Sequence, residues 1–163
     1  MQRKDALEAG LISPENYITW ALEVLGGGAT EAQFQQAWRE IFTINKPMWQ
    51  CVRQLSSAGY QLIIISNISA IHYPWIFETY PEFSYFEHAV LSFETGFIKP
   101  QPEIYQHAIT THGLDPVHTF YIDDMAKNIA VGKQFGFQCW QYDLHDHHAF
   151  EVWLENSLSK TTV

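Results

Sequence analysis

Cysteine is scarce: Cys51 and Cys139 are the only two, and no Cys-x-x-Cys spacing occurs. Two thiols cannot build a disulfide framework, which excludes the small stapled scaffolds of secreted proteins and fits a reducing cytoplasm. Positive charge is scarce as well. Nine Lys plus Arg face eighteen Asp plus Glu, a formal net charge of −9. That balance leaves no broad basic footprint for nucleic acid and no attraction to an anionic membrane surface. No apolar stretch reaches the ~20 residues that a membrane-spanning helix takes. The basic start Met1-Gln2-Arg3-Lys4 runs into Asp5-Ala6-Leu7-Glu8, where a secretory signal needs an apolar run. Internal repeats and low-complexity tracts are lacking too. The expectation is a soluble, cytoplasmic chain whose 163 residues form one domain, or one domain with a small subdomain.

What is present starts with hydrophobic material, 47% of the residues with 15% aromatic, ample for a packed core. The N-terminal part reads as helices only. Ser13-Pro14-Glu15 supplies a cap, a first-turn proline and an acid, with Tyr17, Trp20, Ala21, Val24 and Leu25 as the apolar stripe. Gly26-Gly27-Gly28 follows as a linker; no apolar strand precedes it and no Lys-Ser/Thr comes after, so it is not a phosphate loop. Thr30-Glu31-Ala32-Gln33 is a capping box opening a helix with the face Phe34, Ala37, Trp38, Ile41 and Phe42. Pro47 opens a third helix that Gly59 closes.

From Tyr60 the texture changes. Leu62-Ile63-Ile64-Ile65 is too short for a helix and apolar on both faces, the pattern of a central parallel strand. A helix is expected over Ser69 to Thr79, then a strand at Ala89–Phe93 and a helix from Pro102 to Gly113. A strand at Phe120–Ile122, a helix at Met125–Phe135, a strand at Gln138–Tyr142 and a helix around Ala149–Leu158 complete the series. Strands alternating with helices predict an α/β fold: a Rossmann-like, mainly parallel sheet with helices on both faces, and a small N-terminal helical cap. The expected division is a partial cap at residues 1–46 and an α/β core at residues 47–163.

Polar residues gather at the carboxyl ends of these strands, where open α/β sheets bind ligands. Ser66-Asn67 ends one strand, Lys99 lies in the loop after the next, and Asp123-Asp124 ends the third. Adjacent carboxylates repel unless a cation or hydrogen-bond donors offset them, and Mg²⁺ is the simplest partner. A hydroxyl and an amide, a cation and an acid pair are what a phosphoryl group needs. Taken singly, Lys99 reads as a solvated lysine, Ser66 as a helix cap and Asp123-Asp124 as a turn with an N-cap.

The ordered set resembles the haloacid dehalogenase superfamily. An apolar strand ending in Ser66-Asn67 matches the family's second motif, and Lys99-Pro100-Gln101-Pro102-Glu103-Ile104-Tyr105 its third. Asp123, Asp124 and Asn128 match the fourth, an acid pair followed by a polar residue four positions on. These forms are similar to the sugar-phosphate phosphatase branch typified by α-D-glucose-1-phosphate phosphatase. The resemblance implies catalytic roles for Ser66, Asn67 and Lys99. It implies a Mg²⁺ site with Asp124 as the direct ligand and Asp123 and Asn128 in support. The substrate it implies is a small phosphorylated metabolite, cleaved through a phospho-aspartyl intermediate.

The family's first motif, an apolar strand ending in Asp-x-Asp that carries the nucleophile, has no match here. Asp5 has neither the strand nor the second Asp. The expectations are therefore a core without its first strand, negligible turnover by this chain as written, and open strand edges that invite self-association. The alternative reading is a truncated or non-enzymatic protein that keeps a phosphate and metal pocket. Other candidates carry less weight. His145, His147 and His148 sit with Asp143 and Asp146 in a polar loop without a further ligand, against zinc. His72 reads as a structural histidine, and Trp20, Trp38 and Trp49 as core residues.

Overall fold

The computed structural model describes the backbone of residues 2–161 and the side chains of residues 2–159. The chain divides into two compact units, Met1–Ile98 and Lys99–Val163.

Four helices open the first unit: α1 (Arg3–Glu8), α2 (Pro14–Val24), α3 (Glu31–Arg39) and α4 (Lys46–Ser57). Three have starts that are readable in the sequence. The Ser13 side chain accepts the Asn16 amide, Thr30 and Gln33 form the reciprocal box, and Asn45 accepts the Met48 amide. Leu7, Tyr17 and Ile18 are buried with Ile71, and Trp20, Phe34 and Trp38 pack around them. Trp49 meets Phe83 edge-on at 4.9 Å. The tryptophans are thus packing residues. Gly10 closes α1 with φ at 67°, and a Cβ there would lie 2.3 Å from the Phe93 carbonyl oxygen. Only glycine fits that approach.

Strand β1 (Ile63–Ser66) pairs in parallel with β2 (His88–Leu91), from Ile63 opposite His88 to Ser66 opposite Leu91. Between them run α5 (Tyr73–Thr79) and a 3₁₀ turn at Pro81–Tyr85. Ile68, Ile76 and Leu91 form their own buried cluster, with Tyr73, Phe77, Phe83 and Phe93 packed against it. Strand β2 hands over to a single helical turn, α6 (Ser92–Thr95).

Several boundaries differ from the sequence reading. Helix α3 stops at Arg39, so Ile41 and Phe42 are exposed loop residues; β-branched and aromatic side chains hold a helix poorly, and Asn45 is already capping α4. Val24 and Leu25 are exposed at the end of α2 rather than part of its stripe. Helix α5 begins at Tyr73, not Ser69, because Pro74 belongs in a first turn. Strand β2 ends at Leu91 because Ser92 turns inward: its hydroxyl accepts the Ile68 amide at 3.0 Å and donates to the Ile68 carbonyl at 3.1 Å. Strand β1 is half-buried throughout and, within its unit, pairs with β2 alone.

The second unit is a compact α/β layer. Helix α7 (Pro102–His112) and a 3₁₀ turn at Pro116–His118 lead to β3 (Phe120–Asp123), followed by α8 (Ala126–Gln134), β4 (Gln138–Gln141) and α9 (His147–Thr161). Strands β3 and β4 run parallel, Phe120 opposite Gln138 through Asp123 opposite Gln141. Successive strand side chains leave opposite faces. Phe120 and Trp140 meet Trp153 of α9, at 5.6 and 5.2 Å between ring centroids. Tyr121, on the other face, meets Tyr105 of α7 and packs over Gly132 of α8. Helices thus cover both faces of this sheet.

Candidate active site

The site begins with the alternation of β3. Residues two apart share a face, so Tyr121 and Asp123 both point into the layer beneath α7 and α8, and both are buried. Burying a carboxylate is costly unless charge and hydrogen bonds replace water. Asp123 receives both. The Lys99 ammonium lies 2.6 Å from Oδ2, and this pair is nearly sealed from solvent, at 13% and 4% side-chain exposure. The Tyr121 hydroxyl donates to Oδ2 at 2.8 Å, and the Met125 amide to Oδ1 at 2.8 Å. Asn128 Nδ2 spans both oxygens at 2.9 and 3.1 Å. Burial alone would push the Asp123 carboxyl up; the adjacent Lys99 charge, with the bonds from Lys99, Met125 and Tyr121, outweighs it and holds the group below its ordinary value.

Asp124 is the next residue, just past the end of β3, and is exposed. Its carbonyl accepts from Gln141 Nε2 at 3.1 Å, which ties the strand end to β4. One acid is therefore consumed inside the protein and its neighbour is offered to solvent. Lys99, Asp123 and Asn128, singled out by pattern, come together directly. Ser66 and Asn67 lie at the carboxyl end of β1 in the first unit, half-buried, with the following loop fixed by Ser92.

Sequence reasoning passed over Tyr121, which it counted as an apolar strand residue. The two-residue spacing from Asp123 was the available signal. Behind it, the Tyr105 hydroxyl donates to the Asn128 carbonyl at 3.1 Å and stands 3.4 Å from the Tyr121 hydroxyl. Burial pushes Tyr105 up to about 12 and raises Tyr121 further, so both phenols keep their protons at physiological pH.

The remaining candidates have local partners. His72 is buried, its Nε2 2.9 Å from the Trp38 carbonyl and its ring stacked parallel on Trp38, which makes it a structural histidine. His147 Nδ1 lies 2.9 Å from the Tyr142 hydroxyl. Two cavities open on the first unit: one of about 250 Å³ lined by Gln35, Gln36, Arg39, Glu40 and Trp75, and an apolar one of about 110 Å³ lined by Phe42, Trp49, Ile76, Tyr80 and Phe83. Neither contains a residue of the constellation.

The haloacid dehalogenase-like hydrolase family matches over residues 15–136, most of the chain and all three motifs. The chain belongs to this family. Among curated proteins it is 28% identical over 144 residues to the D-ribitol-5-phosphate phosphatase of Bacteroides thetaiotaomicron, spanning 83% of this chain and 68% of that protein. It is also 24% identical over 134 residues to a sesquiterpene phosphatase of Aspergillus oryzae, spanning 81% and 68%. Among solved structures, a haloacid dehalogenase family enzyme from Bacteroides thetaiotaomicron, in complex with magnesium and inorganic phosphate, superimposes with a TM-score of 0.77 at 27% identity. That match covers 85% of this chain and 73% of the enzyme. Magnesium and phosphate are thus ligands within the family, and its phosphatases act on small phosphorylated compounds. Among the described residues, no helix is long and apolar enough to cross a membrane.

Proposed function

We propose that this protein is by lineage a Mg²⁺-dependent phosphatase of small phosphorylated metabolites, of the sugar- or polyol-phosphate kind, with Lys99, Asp123, Asp124 and Asn128 as the part of its site held in the second unit. One observation carries the reading: Asp123 is saturated by donors that include Lys99, while Asp124 beside it stands exposed. Two adjacent carboxylates with separate tasks suit phosphoryl transfer, one anchoring a cation and one left for a metal. The D-ribitol-5-phosphate phosphatase among the relatives supports a polyol or sugar phosphate as substrate.

The residues present fit Mg²⁺. Asn128 Oδ1 is buried without a hydrogen-bond partner in the protein, and its amide cannot be turned over without setting oxygen against the Asp123 carboxylate. A metal ion, or a water bound to one, would satisfy that oxygen, with the Asp124 carboxylate as direct ligand. When bound, the ion supplies charge neutralisation for the phosphoryl oxygens. Lys99 adds a second positive charge, fixed by Asp123, to stabilise negative charge as it develops. By the family's second motif, Ser66 would offer a hydroxyl donor and Asn67 an amide.

The phospho-aspartyl route needs an Asp-x-Asp nucleophile motif, and residues 1–163 contain none. This favours a second reading, in which these residues bind Mg²⁺ and phosphate without turnover. The two separate in one assay of residues 1–163 with Mg²⁺ and a panel of sugar and polyol phosphates plus an aryl phosphate. Loss of a covalent nucleophile can cost on the order of 10⁶-fold, so the expected turnover is negligible. Mg²⁺ binding that weakens at least about tenfold in Asp124→Asn is expected alongside it. Turnover near ~1 s⁻¹ that vanished in Lys99→Ala would replace the second reading with the first for this chain as written. Mg²⁺ binding indifferent to Asp124 would sink the assigned site.

A further inference from the structure

Tyr121 holds a place that the functional reading leaves unexplained. A phenylalanine would fill the same buried space and make the same ring contacts with Tyr105 and Phe137. The hydroxyl is the additional feature, and the surrounding chemistry fixes which way its proton points. The Lys99 ammonium, the Met125 amide and Asn128 Nδ2 can only donate, so Asp123 must accept on both oxygens. The proton of Tyr105 goes to the Asn128 carbonyl at 3.1 Å, so it does not compete for Asp123. That leaves the proton of Tyr121 for Asp123 Oδ2 at 2.8 Å, on the same oxygen that meets Lys99 at 2.6 Å.

The donors differ in rigidity. Lys99 reaches Oδ2 on a four-carbon stem with many rotamers. Tyr121 is delivered from the same strand as Asp123, its ring wedged against Gly132 and its hydroxyl beside that of Tyr105. We propose that Tyr121 is a positioning residue, its hydroxyl fixing the Asp123 carboxylate so that the carboxylate in turn aims the Lys99 ammonium at a phosphoryl group. This rests on the phosphatase reading above, because the phosphoryl group is what Lys99 is aimed at. Tyr121 touches no reacting atom; it acts through Asp123.

The test uses residues 1–163 and two measurements that need no turnover. The first is the ¹³C-carboxyl NMR shift of Asp123 at constant neutral pH, its signal assigned by loss in Asp123→Asn. The second is binding of inorganic phosphate in the presence of Mg²⁺, with Lys99→Ala as the reference for loss. In Tyr121→Phe the Asp123 signal moves, because Oδ2 loses a charge-assisted hydrogen bond. Phosphate binding weakens about three- to tenfold while Mg²⁺ binding holds. Tyr105→Phe leaves the Asp123 signal in place, since its proton goes elsewhere. Site-specific 3-fluorotyrosine at position 121, a stronger donor of nearly the same shape, moves the signal the opposite way, which keeps the test decisive should the phenylalanine variant fold poorly. Phosphate binding by the unaltered chain that Tyr121→Phe leaves unchanged, or an Asp123 signal that neither change at position 121 moves, overturns the role of Tyr121 alone. No phosphate binding by the unaltered chain overturns the phosphatase reading instead.

Discussion

Gly132 explains how Tyr121 reaches its place. A Cβ at Gly132 would lie 2.6 Å from Tyr121 Cδ1 and 3.0 Å from Cys139 Sγ, so the Tyr121 ring would have to shift. The Tyr121 ring is 6% exposed and its hydroxyl is tied to Asp123. Two effects oppose each other in Gly132→Ala. Alanine gains up to about 1 kcal/mol from helix propensity in α8, while overpacking a rigid core costs about 1–3 kcal/mol. The clash should win, because the ring that must move is wedged against Tyr105 as well. The expected result is a lower thermal midpoint, by a few degrees, with the ¹³C signal of Asp123 displaced. A midpoint equal to or above that of the unaltered protein would show the ring to be freer than its contacts imply. At this scale Lys99, Asp123 and Asn128 were legible only through the ordered motifs, since taken singly Lys99 reads as a solvated lysine and Asp123 as part of a turn. Tyr121 was not, since a phenol in an apolar run looks like core until its partner is seen.

Helix α3 shows what an element owes to one side chain outside it. Its capping box fixes the start, but no buried residue lies along it. Its last turn is held by His72, which bonds the Trp38 carbonyl through Nε2, stands 3.4 Å from Ser69 Oγ through Nδ1, and stacks on the Trp38 ring. Burial lowers the His72 pKa, only partly countered by the bond to Trp38; Glu8 favours the charged form, and Lys4 and Arg39 oppose it. A histidine that binds its proton less well folded than unfolded stabilises fully above the unfolded value, near 6.5, and loses that contribution as the pH falls below it. Thermal stability should therefore drop between about pH 6.5 and pH 5. His72→Gln, which keeps a donor towards Trp38 and cannot titrate, should flatten that drop. Parallel curves for the two proteins would remove His72 from the account. Helix starts were legible from Ser13, Thr30 and Pro47 because caps and first-turn prolines are local chemistry. The ends of α3 and β2 were not, since α3 is pinned by a residue 34 positions away and β2 is cut short by Ser92 bonding 24 positions back.

The whole chain holds four strands among the described residues, paired as two parallel sheets of two strands each. That is little sheet for so hydrophobic a sequence. Two-stranded sheets are marginal alone, and parallel strands are normally internal and covered. Ile63, Ile64 and Ile65 have the composition of an internal strand, yet they are half-buried, and within its unit β1 pairs with β2 alone. In the other unit β3 pairs with β4 alone. A strand edge of uncharged, β-branched residues is a template for another chain, because its amides and carbonyls seek partners and its side chains seek cover. Residues 1–163 are therefore expected to self-associate through these edges, against the repulsion of a net charge of −9. Screening by salt weakens that repulsion while leaving backbone pairing intact, so association should strengthen as ionic strength rises. Light scattering on a sizing column, from about 10 μM to several hundred μM at low and high salt, reads the mass directly. Hydrogen exchange locates the contact: the amides of Ile63–Ser66 or Phe120–Asp123 should gain protection with concentration, while those of α9 should not. A monomer mass across the whole range, with exchange at both strands independent of concentration, would show that each two-stranded sheet stands without a partner.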